Sequence, residues 1–348
     1  MGTANAAAAS LQRALQRAVR DSPAGALLLS GGVDSATLAA LDPRPVAITV
    51  VLAPGEAGSS RPACSRCAAW ASFPPGCGQD GEYAAIVARH LGLDWRLVRL
   101  SIAEALATLS DLIRISRGYD LGLLNDIPLL AGLRHAQGLG VTRVRTGDDA
   151  DSLFGGYSYL RPETNWGAYL ARRIPALHPP VIRLGEALGV EVSFPYLHPA
   201  VLAVARGLSS AELATGRAEF GAFVDQFDPE LAECATKPWG KLVLRQVAAM
   251  LLPERIAWRP KTDLQFGAGM CRLETELAAL VAPAMRSVCD SPHARFINPA
   301  HHGMRVLFDR AGLSIPPPGP GEVACVGCGA GLAAGRLHCS TCGAYPAS

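Results

Sequence analysis

The chain has 348 residues, 49% of them hydrophobic and 18% charged, with a formal net charge of +2. That is apolar material enough for one large or two ordinary domains, and it excludes wholesale disorder. The near-neutral balance leaves no broad basic footprint for nucleic acid, and no apolar run reaches the length of a membrane span.

Residues 5–20 are expected to be helical, with Leu11, Leu15 and Val19 on one face and Arg13, Gln16 and Arg20 elsewhere. Asp21-Ser22-Pro23 ends that helix. The N-terminus lacks a basic region ahead of its apolar residues, so it does not read as a signal peptide. Ala6 stands where a myristoylation motif starting at Gly2 wants Ser or Thr.

Leu27–Leu29 is short and wholly apolar, which fits a buried parallel strand. It breaks into Ser30-Gly31-Gly32-Val33-Asp34-Ser35 and then the helix-like 36–41. Gly31 and Gly32 are expected to let backbone approach a ligand with no Cβ in the way. The free N–H groups at the start of the next helix favour an anion, and Ser30 and Ser35 add hydroxyl donors. Asp34 beside a phosphate calls for a cation between them, so it reads as a Mg²⁺ ligand. Neither Gly-x-x-x-x-Gly-Lys-Ser/Thr nor Gly-x-Gly-x-x-Gly occurs here.

Val46–Leu52 is a second β-branched strand. Residues 53–80 break the pattern with a Gly-, Pro- and Ser-rich insertion carrying Cys64-x-x-Cys67 and Cys77. Glu82–Leu91 returns to helix and Trp95–Leu100 to strand. The alternation predicts an α/β fold with a doubly wound parallel sheet. Leu123–Leu139 reads as one helix despite Pro128, and Val141–Arg145 as a short strand. It leads into Thr146-Gly147-Asp148-Asp149-Ala150-Asp151-Ser152-Leu153-Phe154-Gly155-Gly156-Tyr157. Ligands of such sheets bind beyond the carboxyl ends of the strands, so this turn can face the same crevice as the Ser30–Ser35 loop. Three aspartates in four residues repel unless a cation or donors compensate. The other reading of this turn alone is a solvated acidic helix cap.

Ser30–Ser35 resembles the pyrophosphate-binding loop of the ATP pyrophosphatase (PP-loop) enzymes, which cleave ATP to AMP and pyrophosphate. With the Gly147–Tyr157 run it resembles the synthetase domain of asparagine synthetase and its β-lactam- and lasso-peptide-forming relatives. Further stretches match in order: Glu82-Tyr83-Ala84, Val192–Leu197, Lys241-x-x-Leu244-Arg245, and Leu252–Lys261. The resemblance implies a PP-loop, adenine nucleotide alpha hydrolase-like sheet with a helical C-terminal part, over residues 1–314.

It also implies a two-step ligation. A carboxylate attacks the α-phosphorus of ATP, pyrophosphate leaves, and ammonia or an amine displaces AMP. Asp34 and Asp151 would hold Mg²⁺. Ser30, Gly31, Gly32, Ser35 and Gly147 would contact the nucleotide, with Lys241 and Arg245 on the pyrophosphate side. Lys261 would stabilise charge in both half-reactions. Asp148 takes the place of the glutamate that handles the nucleophile's proton. Three departures point to a carboxylate other than aspartate, small or borne by a carrier or peptide: Asp149 replaces a glycine, Ser152 a glutamate, and His198 an aspartate. The phosphate loop begins by residue 30, so no glutaminase domain is expected ahead of it. Nitrogen would come as ammonia, as a substrate amine, or from a partner amidotransferase.

Residues 315–321 read as a stiff Pro/Gly linker. Beyond it, over 322–348, Cys325-x-x-Cys328 and Cys339-x-x-Cys342 are separated by ten residues and each pair is followed by Gly. Four thiolates at that spacing predict a tetrahedral Zn²⁺ ribbon, with a redox dithiol pair or two disulfides as alternatives. A closed site of this kind suits docking to a protein, a carrier or RNA. Cys64, Cys67 and Cys77 leave several readings open: zinc with a fourth ligand such as His90, an iron–sulfur cluster, sulfur carriage, or no ligand. The scattered Cys234, Cys271 and Cys289 read as buried apolar residues. An enzyme using ATP, Mg²⁺ and zinc thiolates is expected to be cytoplasmic. The rival functions are a sulfur transferase using the Cys-rich insertion and a non-catalytic binding protein.

Overall fold

The computed structural model describes residues 2–53, 78–160, 163–215, 239–283, 290–291 and 294–348. Cys64, Cys67, Cys77, Cys234 and Cys289 lie outside them.

Helix α1 (Gly2–Asp21) leads into β1 (Ala26–Leu28), α2 (Val33–Leu41) and β2 (Val46–Leu52). After the Cys-rich segment come α3 (Asp80–Leu91), β3 (Trp95–Leu100) and α4 (Ile102–Ser116). A 3₁₀ turn over Leu121–Asn125 precedes α5 (Ile127–Gly138) and β4 (Arg143–Arg145). The chain continues through α6 (Ala150–Phe154), α7 (Trp166–Arg173), α8 (Val181–Leu188), β5 (Glu191–Ser193) and α9 (Pro199–Arg206). In the C-terminal part α10 (Leu242–Ala249), α11 (Leu264–Gly267) and α12 (Pro299–Arg310) are followed by the hairpin β6 (Glu322–Ala324) and β7 (Gly331–Ala333).

The five central strands are all parallel, in the order β3-β2-β1-β4-β5. The order reverses between β1 and β4. A crevice therefore opens beyond their carboxyl ends, where the connections leaving β1 and β4 run toward opposite edges of the sheet, to β2 and to β5. The Ser30–Ser35 loop follows β1 and the Thr146–Asp151 turn follows β4, so topology alone brings the two motifs together.

Each face of the sheet has its own apolar layer. Leu11, Leu15 and Val19 of α1 pack with α2, α9 and α10 on one side. Residues of α4, α5, α8 and α12 pack on the other. Each fully buried leucine contributes about 1.5–3 kcal/mol. The end of β4 is pinned by buried Arg145, which donates to Asp42 Oδ2 at 3.0 Å and to the Val19 and Ser22 carbonyls at 3.1 Å. Burial pushes the Asp42 carboxyl up, but hydrogen bonds from Arg44 and Arg145 bring it below its ordinary value. Among the described residues no helix is long and apolar enough to cross a membrane.

Two expectations are corrected. The single helix over 123–139 is instead the 3₁₀ turn followed by α5. Pro128 stands in the first turn of α5, where its missing N–H costs nothing, but it could not continue a helix begun at Leu123. The strand expected at Val141 starts two residues later, at Arg143. The expected linker, residues 315–321, starts against the body of the protein. Ile315 packs on the main core, and Gly331 N–H donates to the Pro316 carbonyl at 3.0 Å. The four ribbon cysteines are buried in the same apolar cluster as α4, α5 and α12.

Candidate active site

The crevice at the strand-order reversal is a cavity lined by both motifs. Ser30, Gly32, Asp34 and Ser35 come from the loop after β1, and Gly147, Asp148, Asp149 and Asp151 from the turn after β4. Lys241, Arg245, Arg259 and Lys261 close it from the C-terminal part. One wall is apolar, with Leu28, Ile48, Val50, Pro128 and Leu129.

The loop is held ready by its own hydroxyls. Ser30 Oγ accepts from Gly32 N–H at 3.2 Å, and Ser35 Oγ accepts from Ser30 N–H at 3.2 Å. Gly32 N-caps α2 with no side-chain cap, which leaves the positive end of that helix facing the cavity. The two glycines have different duties. Gly32 lines the cavity as expected. Gly31 does not line it: it has φ +70°, and a Cβ there would overlap Tyr83 and Ala84 of α3. Packing against α3 by itself requires glycine there.

Lys241 is the electrostatic centre. Its Nζ lies 2.8 and 2.7 Å from the two carboxylate oxygens of Asp34 and 2.7 Å from Asp151 Oδ1, and its side chain is 2% exposed. It adopts φ +63°, a left-handed conformation costly for a side chain of this size, and its N–H donates to the Phe154 carbonyl. Gly156 makes room for the pair, since a Cβ there would strike Asp151 and the Lys241 stem. Lys261 Nζ reaches Asp151 Oδ2 at 3.3 Å and Asp263 Oδ1 at 3.1 Å.

The titration directions follow this arrangement. Burial, opposed by Lys241 and aided by Asp151, pushes Asp34 up. Burial also pushes Asp151 up, but Lys241 and Lys261 together bring it below the usual carboxylate range. Burial would lower Lys261, yet Asp151, Asp263 and Asp34 hold it above its ordinary value, so it stays charged at neutral pH. Asp148 is raised by burial and then by the charges of Asp34 and Asp151, against a hydrogen bond from Thr146. A carboxylate raised in this way takes up a proton more readily, which suits a proton-accepting role.

The Asp34 and Asp151 carboxylates present hard oxygen donors to one point, a donor set that fits Mg²⁺; at that point lies the Lys241 ammonium. Arg245, expected on the pyrophosphate side, also holds backbone together. It borders the cavity, but its guanidinium donates to the carbonyls of Gly240, Ala257 and Arg259 at 2.8–2.9 Å, and burial lowers it to about 10. It ties together the backbone that carries Lys241 and Lys261.

Sequence reasoning passed over several supporting groups. Arg259 donates to the Ser30 carbonyl at 3.0 Å and to Asp80 Oδ1 at 2.6 Å, and lies over the Tyr83 ring at 4.1 Å. It therefore locks the phosphate loop to α3. Tyr196, under the loop, donates from its hydroxyl to the Asp34 carbonyl at 2.9 Å. Tyr157 lines the cavity, with Lys261 Nζ 5.7 Å from its ring centroid. Arg259, Tyr157 and Tyr196 all stand inside the matched motifs, which was the available signal.

The departures also separate. His198 is a helix cap: its Nδ1 accepts from Ala200 N–H at 3.2 Å, and its Nε2 lies 3.2 Å from Asp21. An aspartate would cap equally well, so this difference carries no substrate information. Ser152 is buried, with Arg173 donating to its hydroxyl at 3.4 Å. Asp149 is the strained one, at φ +67° with Oδ2 buried and without a hydrogen-bond partner. Burial and the Asp148 charge raise it to about 6. Replacing Asp149 with glycine should stabilise the protein by about 1 kcal/mol, read by urea denaturation. Because the folded-state value lies above the ordinary one, ionisation costs stability as pH rises, so the gain should grow between about pH 4 and about pH 6.

At the ribbon, all four Cys sulfurs lie within 4.8 Å of one another and all are buried. The Cys325–Cys342 and Cys328–Cys339 sulfurs are 3.7 and 3.8 Å apart. Zinc–sulfur bonds of about 2.3 Å in a tetrahedron give edges of about 3.8 Å, so the cluster fits Zn²⁺. The glycines after each pair, Gly329 and Gly343, have φ of +80° and +76°, as a knuckle turn requires. His90, a candidate fourth ligand for the Cys-rich insertion, pairs with the Leu251 carbonyl at 3.2 Å.

The asparagine synthase family model matches residues 6–180 and 182–303. The chain is 27% identical over 284 residues to the glutamine-hydrolyzing asparagine synthetase B of Escherichia coli, covering 77% of this chain and 47% of that protein. It is 25% identical over 341 residues to the glutamine-hydrolyzing asparagine synthetase of Brassica oleracea, covering 89% and 52%. Asparagine synthetase 1 of Arabidopsis thaliana is 27% identical over 334 residues, with 89% and 52% covered. The chain thus spans about half the length of the curated relatives it matches.

Proposed function

The chain belongs to the asparagine synthase family, and from that premise we propose that it is an ATP-dependent, AMP-forming ligase that joins a carboxylate to ammonia or an amine. The observation that carries this reading is the convergence of the Ser30–Ser35 loop, Asp34, Asp151, Lys241 and Lys261 on one cavity.

The apolar wall of Leu28, Ile48, Val50, Pro128 and Leu129 suits a flat base, and the uncapped start of α2 suits the phosphates. Asp34 and Asp151 would hold Mg²⁺, which supplies Lewis-acid neutralisation of phosphate charge. A substrate carboxylate oxygen bonds to the α-phosphorus and the bond to pyrophosphate breaks. Lys261, charged at neutral pH, stabilises the negative charge that builds on the phosphates. The nucleophile's nitrogen then bonds to the acyl carbon and the bond to AMP breaks. The proton the nitrogen loses goes to Asp148, whose raised affinity suits that task. The four thiolates of the ribbon would hold Zn²⁺ as a structural ion.

The sulfur-transfer reading depends on Cys64, Cys67 and Cys77, outside the described residues, and no described group favours it. Transfer of a heavy-oxygen label tests the proposal. With both carboxylate oxygens labelled, one label should appear in AMP. Label in inorganic phosphate, or none in any nucleotide product, would refute carboxylate attack at the α-phosphorus.

A further inference from the structure

The ribbon and the nucleotide cavity are joined by a run of hydrogen bonds and short chain segments. Thr341, between the paired Cys339 and Cys342, accepts from Tyr119 N–H at 2.6 Å. Gly118 is seated so closely that a Cβ there would meet the Ser340 carbonyl at 2.5 Å. The neighbouring Asp120 uses one oxygen on each side of the junction. Its Oδ2 pairs with His338 of the ribbon at 3.2 Å, and its Oδ1 accepts from Gly122 N–H at 2.8 Å, capping the Leu121–Asn125 turn.

That turn ends in a clasp. Asn125 Oδ1 accepts from Gln265 N–H at 2.9 Å, and Asn125 Nδ2 donates to Gln265 Oε1 at 3.4 Å. The two residues lie 140 positions apart in sequence. On one side of the clasp α5 begins, and its Pro128 and Leu129 line the apolar wall. On the other side stand Leu264 and, three residues before it, Lys261, which line the cavity as well. The ribbon therefore braces two cavity segments, the start of α5 and the stretch from Lys261 to Leu264.

We propose that metal binding in the Cys325–Cys328–Cys339–Cys342 ribbon sets the nucleotide affinity of the cavity, with Asp120 and Asn125 as positioning residues. This rests on the reading of the cavity as an ATP site. A bound ion fixes the Cys339–Cys342 turn, and with it Thr341 and His338. Without the ion, Tyr119 and Asp120 lose fixed partners, and the Asn125–Gln265 clasp no longer has a rigid base. The apolar wall and the Lys261 segment are then free to part.

The test is equilibrium titration of the full chain with Mg·ATP, first zinc-loaded and then stripped by a chelator under reducing conditions. Bound zinc is assayed in every sample, and far-ultraviolet circular dichroism establishes that each is folded. Stripping should weaken ATP binding about tenfold. Asn125→Ala should weaken it comparably while zinc stays bound, raising KM for ATP more than it lowers kcat. In that variant, stripping should add less than about twofold, because the same link is already cut. Asn125→Asp, which retains the acceptor for Gln265 N–H, should recover most of the loss. Unchanged ATP affinity in stripped, folded protein would overturn the proposal, as would additive losses from stripping and Asn125→Ala. If stripping unfolds the chain, zinc-loaded Asp120→Ala and Asn125→Ala decide: normal ATP affinity in both overturns it. Absence of saturable ATP binding in the zinc-loaded wild type would instead refute the nucleotide reading of the cavity itself.

Discussion

Lys261→Met should lower the rate of pyrophosphate release by on the order of 10²–10³-fold while leaving stability nearly unchanged. Lys261 Nζ is one of two ammonium groups at Asp151. The other, Lys241, remains to compensate that carboxylate, so no buried charge is stranded. About a third of the Lys261 side chain stays exposed, facing the space a nucleotide would fill. A group placed there to meet developing charge affects the transition state more than ground-state binding, so kcat should fall further than KM rises. Steady-state kinetics beside thermal denaturation reads both. A rate within about threefold of wild type would remove Lys261 from the chemistry.

Lys241→Met should act in the opposite order, on the fold first. The side chain is 2% exposed and is the shared partner of Asp34 and Asp151. Removing the ammonium leaves two adjacent carboxylates without their common cation, an arrangement that costs about 3–5 kcal/mol. The loss should be pH-dependent with a definite sign. In the variant, burial and mutual repulsion raise both carboxylates above their unfolded values. The penalty is then full above those raised values and fades on acidification as the groups take up protons. Denaturation at about pH 8 should show a larger deficit than at about pH 5. Relief of the left-handed backbone by Lys241→Gly would not restore stability, because charge and not strain dominates.

The division between what sequence makes legible and what it does not follows the range of the interactions. Ser30–Ser35 and Gly147–Asp151 are short motifs beside strand ends. Their placement in one crevice follows from strand–helix alternation, and β2 and β3 lie at the predicted bounds. The thiolate spacing likewise states its own tetrahedron. The unread contacts are those that close over long separations. Arg259 reaches the phosphate loop and Asp80 across 229 and 179 positions, and nothing local to it announces either partner. Gly31 is a case of the same kind: φ +70° and the proximity of Tyr83 are tertiary facts, whereas Gly-Gly beside a strand suggests ligand access alone. The Pro/Gly stretch before the ribbon looks like a spacer by composition. Only the packing of the partly buried Ile315 and of the buried cysteines against the cluster of α4, α5 and α12 shows that it starts against the body. His198 gives the converse case, a departure from the motif that turns out to be an equivalent cap.

The most direct measurement of the cavity's role is the fate of ATP in the presence of a panel of carboxylates, with ammonium or a primary amine added in turn. AMP and pyrophosphate should form in equal amounts, only with a particular acid, and in step with an amide product. The same reaction run with Asp34→Asn should form neither. ADP and phosphate as products, or AMP formation that Asp34→Asn leaves intact, would contradict the assignment of this cavity to carboxylate activation.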